Sequence, residues 1–171
     1  TPAERKPIGA SDYVPAVLKL IGQYREDGRF NDWHRLAEEA VQRFPDNSAV
    51  LQQATESAVA RKAYKKAAGF ARRLLQIDPI NAGVRRQMIE LQVAHARKQM
   101  CARRPDLASR ELGTAYEWER SDAPNALVRI AHGLVGLQAG EGEPAEARLR
   151  EGVALAGGGA AGWFRAALPS R

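Results

Sequence analysis

The chain has 171 residues, 44% apolar and 27% charged, which is enough material for one cooperative core or a short repeat array and is not a disordered composition. Aromatic residues make up only 6%, β-branched runs are almost absent, and Ala and Leu are plentiful, so an all-α protein packed helix on helix is expected rather than a sheet. The net charge of +6 is uneven: residues 61–110 carry 13 basic and 3 acidic groups, against 7 and 9 in residues 1–60 and 6 and 8 in residues 111–171, so the centre is the part that attracts acidic partners.

In chain order, residues 1–11 hold two prolines, a glycine and mixed charges without periodicity, and read as a flexible lead-in. Ser11-Asp12 caps a first helix whose Val14, Val17, Leu18, Ile21 and Tyr24 share one face up to Asp27-Gly28. Phe30-Asn31-Asp32 turns the chain into a second helix, with Trp33, Leu36, Ala37, Ala40, Val41 and Phe44 inward, ended by Pro45. Helix three is expected over residues 48–61 and helix four over 63–77, the latter ending at Pro79. Pro45 and Pro79 are 34 residues apart, each followed within two residues by an asparagine that can cap the next helix, and a period of that size implies stacked helical hairpins. Ala67 and Ala108 each head a small-residue stripe where paired helices approach closely.

The fifth helix, over residues 82–102, is about two turns longer than its counterparts. Helix six opens at Pro105-Asp106 and runs to about residue 120, and Ser121-Asp122-Ala123-Pro124 supplies the next break and cap. Helix seven covers residues 125–139. Helix eight covers 144–156 and presents Ala147, Leu149, Val153 and Ala154 inward. Gly157-Gly158-Gly159 then breaks the chain. A short helix over residues 160–168, carrying Trp163 and Phe164, caps the open end of the stack. The hairpins are thus expected at about 12–45, 46–79, 80–122 and 123–156 within one domain over residues 12–171.

Chemistry-bearing constellations are scarce. His34, His95 and His132 lack the three- or four-residue spacing of a metal site and read as packing or surface residues, so no metal and no cofactor is expected. Cys101 reads as a small packing residue. No nucleophile elbow, phosphate loop or dinucleotide fingerprint is present, and the paired carboxylates lie on solvated faces, so an enzyme is not expected. No run of 18 apolar residues suggests a membrane span. The chain starts without Met at Thr1 and reads as a piece of a longer polypeptide, which leaves the compartment open between cytoplasm, the default, and periplasm. Ala/Arg/Gly-rich usage points to a bacterial source.

Within each hairpin the pattern resembles the tetratricopeptide repeat. Leu20, Tyr24, Gly28, Ala40 and Pro45 stand where that family places its leucine, tyrosine, glycine, second-helix alanine and closing proline. Tyr64, Ala67 and Pro79 follow suit in the second copy, Ala108, Leu112 and Ala115 in the third, and Leu134, Gly142, Ala147 and Ala154 in the fourth. The departures are Trp33 in place of a small alanine, a third copy stretched so that Pro79 and Pro124 are 45 residues apart, and glycines in place of the last proline.

The resemblance implies a short right-handed superhelix of about eight helices plus the cap, with first helices lining a concave groove for a peptide or protein partner. A well-known variant clamps an acidic C-terminal tail with Lys and Asn on its first helices; Leu18, Gly22, Gln52 and Glu56 occupy the corresponding places here, so that clamp is not expected. The expected groove residues are Leu18, Gln52, Glu56, Val59, Arg86, Glu90, Val93 and Arg97, and the expected role is a non-enzymatic scaffold for a protein partner, acidic if the basic centre takes part. The alternative is a nucleic-acid-binding helical repeat that uses the same centre, disfavoured because only Tyr64 and Phe70 are available there for base stacking.

Overall fold

The computed structural model describes residues 10–120 and 122–168, with side chains from Tyr13 on. Most of the 1–11 lead-in lies outside the described residues. Nine α-helices are found among those that are described, with no strand: α1 (Ala10–Glu26), α2 (Phe30–Arg43), α3 (Ser48–Ala60), α4 (Tyr64–Ile77), α5 (Ala82–Cys101), α6 (Pro105–Glu117), α7 (Ala126–Gln138), α8 (Glu143–Ala156) and, after a 3₁₀ turn at Gly157–Gly159, α9 (Ala160–Ala167). The chain divides into two compact units, Thr1–Pro79 and Ile80–Arg171.

Two kinds of punctuation alternate along it. Helices α3, α5 and α7 start on an asparagine after a proline: the Oδ1 atoms of Asn47, Asn81 and Asn125 accept from the backbone N–H of Val50, Val84 and Leu127 at 3.1, 3.0 and 2.9 Å, which satisfies donors that a helix start leaves open. Asn125, rather than Ser121-Asp122, is therefore the cap of α7. Second helices start without a side-chain cap, because the turn feeding them is closed by backbone. In the turns between α1 and α2, α3 and α4, α5 and α6, and α7 and α8, the N–H of Arg29, Ala63, Arg104 and Glu141 reaches back five residues to the carbonyls of Tyr24, Ala58, Gln99 and Gly136 at 2.8–2.9 Å. The residue before each of them is left-handed: Gly28, Lys62, Arg103 and Gly140, with φ of 70, 56, 55 and 82°. Four hairpins thus share one Schellman-type turn. Phe30 is consequently the first residue of α2 rather than part of a turn.

In the first unit each helix packs on the next, and α1 also touches α3. Ile21, Ala37, Val50, Leu51, Ala67 and Ala71 are fully buried. In the second unit α5 through α8 pack in succession, α7 touches α5, and α9 lies against α7, α8 and α5. Val93, Ala108, Leu112, Val128, Ile130 and Val135 form the centre of that core, and Ala167 of α9 is buried in it with Trp163 and Phe164 packed alongside.

The α7–α8 pairing departs from expectation. Ala147, Val153 and Ala154 are exposed; the inward residues of α8 are Ala145 and Gly152, with Leu149 partly buried. Glycine is the reason. A Cβ on Gly133 would stand 2.5 Å from Leu149 Cγ, and one on Gly152 would stand 2.9 Å from the Ile130 backbone nitrogen. The two helices meet through their missing side chains. Cys101 also differs from expectation, being exposed, because Met100 takes the inward position at the end of α5.

Candidate functional site

Much of the basic centre is already used inside the fold. In the first unit Glu38 accepts from both Arg61 and Lys66, the latter at 2.7 Å, and the Lys66 hydrogen bond is the main reason that its carboxyl titrates below the usual range. Arg73 donates to the Pro45 carbonyl. Lys65 and Arg72 are exposed on α4.

The second unit treats its cations differently, and the cause is helix length. α5 has 20 residues and its antiparallel partner α6 has 13, so the first two turns of α5, about 10 Å, overhang the end of α6. α6 ends at Glu117 rather than near residue 120, and the released residues fold across the overhang, closed by a bridge between Arg120 and Ala123. Between them lies a cleft of about 240 Å³. Its α5 wall is Ala82, Arg85, Arg86 and Ile89; Trp118, Glu119, Arg120, Ala123 and Asn125 form the other. Arg86 is exposed with no ion pair among the described residues, although Glu90 lies one turn away on the same face. Arg120 holds the Asp122 carboxylate through Nε and Nη2 at 3.0 and 3.1 Å.

Behind the cleft a buried network fixes the wall. Arg129 of α7 pairs with Glu119, whose Oε1 also accepts from the Asn125 N–H at 3.0 Å. Arg129 Nε reaches Glu151 at 3.1 Å, and its guanidinium stacks 4.7 Å over the Tyr116 ring. Tyr116 Oη lies 3.2 Å from His132 Nδ1, whose ring reaches Ser109 Oγ at 3.2 Å through Nε2. A comparable hydroxyl–imidazole contact, His34 Nδ1 to Ser57 Oγ at 2.7 Å, joins α2 to α3.

Burial holds both His34 and His132 below the ordinary imidazole pKa, assisted by Arg61 and Arg148 respectively. In the unfolded chain each would protonate near pH 6.5, so the unfolded state takes up more protons as pH falls below that value. Stability is therefore complete above about pH 6.5 and is lost on acidification. The melting temperature is expected to fall between pH 7 and pH 5, and a His34→Gln/His132→Gln variant should show a flatter dependence; an unchanged slope would reject these two rings as its source.

The residues singled out from the sequence fall into two groups. In the first unit Leu18, Gln52, Glu56 and Val59 are partly buried, and Glu56 is occupied, accepting from Arg25 at 2.9 Å and from Gln52 at 3.3 Å. The Arg25–Glu56 pair links α1 to α3, while Gln52 supports Glu56 from within α3. In the second unit Arg86 and Glu90 are exposed and Arg97 is partly buried. Val93 is not open to a partner: at 2% exposure it belongs to the core with Ala96 and Leu112. The cleft brings Trp118 and Arg120, which the sequence does not link to α5, beside Arg85 and Arg86.

Among the described residues no group of His, Cys, Asp and Glu could hold a metal ion, and no helix is long and apolar enough to cross a membrane. No protein-family model and no curated protein matches the chain.

Proposed function

We propose that the chain is a tetratricopeptide-like interaction module, a short right-handed superhelix without catalytic activity that binds an acidic segment of a protein partner. The observation that carries this reading is the recurrence of one left-handed hairpin turn at Gly28, Lys62, Arg103 and Gly140, which supports reading the four hairpins as copies of one helical pair where the letters alone are degenerate. Repeats of this kind present an extended face to peptides. The acidic preference follows from exposed Arg86 and the surplus of cations over residues 61–110.

Poly-L-glutamate and a random-sequence duplex DNA, each titrated into the chain at two salt concentrations, test the reading. Poly-L-glutamate should bind, more weakly at high salt, and Arg86→Glu should weaken it more than Lys65→Glu. Tight duplex binding that poly-L-glutamate does not displace would replace the module reading with the nucleic-acid one.

A further inference from the structure

Resting on that reading, we infer that the cleft under the α5 overhang is an anchor site for one Asp or Glu side chain of an extended partner peptide together with an adjacent apolar residue. The volume, about 240 Å³, is below the roughly 300–1,000 Å³ of ordinary small-molecule pockets and suits a side chain or two. Its lining pairs chemistry of two kinds: guanidinium groups of Arg86 and Arg120 at the wall, and Ile89, Trp118 and Ala123 beside them. A guanidinium presents a planar fork of donors that matches a carboxylate, and Arg120 already holds Asp122 in that way at this wall. Arg86, exposed on α5, offers the same fork with no ion pair among the described residues. The start of α5 adds its positive helix end to the same place. Glu119 on the opposite wall, although paired with Arg129, disfavours a dianion, so a carboxylate fits better than a phosphate. In the first unit, by contrast, Arg61 and Lys66 are both engaged by Glu38.

The test uses four labelled peptides on a Gly/Ser background, read by fluorescence anisotropy: one with Glu-Leu repeats, one with Glu-Gly, one with Gln-Leu and one with phosphoserine-Leu. The Glu-Leu peptide should bind about tenfold or more tightly than the other three, the scale of one charge-assisted hydrogen bond. Arg86→Glu should abolish that preference, and so should Ala82→Trp, which fills the cleft from an exposed first-turn position without altering charge; Lys65→Glu should leave it intact, with helicity checked for each variant. Glu-Leu binding that survives both cleft variants overturns the anchor site and leaves the module reading standing. Tighter phosphoserine-Leu binding overturns the carboxylate preference. Absence of binding to every peptide overturns the anchor site together with the acidic-partner reading.

Discussion

Replacing Gly152 by alanine is expected to lower the unfolding free energy by about 2 kcal/mol, in the range of overpacked sites, even though alanine is the better helix former by about 1 kcal/mol. The new Cβ would stand 2.7 Å from Ile130 Cγ1 and 2.9 Å from the Ile130 backbone nitrogen. A side chain can rotate away, but a backbone nitrogen inside α7 cannot without moving the helix. Gly113 of α6 provides a control of opposite sign, because nothing lies within 4 Å of a Cβ there; Gly113→Ala should stabilise by about 0.5–1 kcal/mol. Denaturant titrations of the two variants check the pair, and destabilisation by both or by neither would remove the close approach of α7 and α8 as the cause.

The second large effect is expected at Arg129. Its side chain is 13% exposed and that of Glu119 is 8% exposed, so removing the arginine leaves a carboxylate buried without its main partner. Losses from breaking buried pairs run to about 3–5 kcal/mol; with contact to water remaining on the Glu151 side, Arg129→Met should fall near 3 kcal/mol. Because Glu119 lines the cleft, the same variant should also loosen the segment that forms its wall. Adding Glu119→Gln to Arg129→Met should recover part of the loss, since the two residues share one interaction. A double variant as unstable as the sum of the singles would show that each acts alone.

The helix spans were largely legible in the sequence, because three- and four-residue periodicity between proline and glycine breaks is a local signal. The turns were legible only in half of their copies. Gly28 and Gly140 announce a left-handed residue, whereas Lys62 and Arg103 adopt the same conformation without a glycine, and a long cationic side chain in the basic centre reads as surface charge. Lys62→Gly should accordingly stabilise the chain by roughly 1 kcal/mol by relieving left-handed strain, measurable as a rise in melting temperature. The inward face of α8 is not legible in the sequence, because Gly152 carries no hydrophobic signal although a Cβ there would stand 2.9 Å from the Ile130 backbone nitrogen. Arg86 was recognisable as an accessible cation, but the cleft was not: it exists because α5 outruns α6 and the residues after Glu117 fold over the excess, and neither event leaves a motif. Val93 shares its helical face with Arg86 and Arg97 by spacing, yet packing against the rest of the core buries it.

The division into two units has a spectroscopic consequence. The first unit holds a single tryptophan, Trp33, 5% exposed, while Trp118 and Trp163 of the second are partly open to solvent already. Unfolding the first unit moves one indole from a dry site into water, so the red shift of tryptophan emission is weighted toward that unit, whereas far-UV ellipticity counts helices from both. If the two traces coincide on heating, the chain unfolds as one cooperative body; if emission and ellipticity separate, their order tells which unit unfolds first.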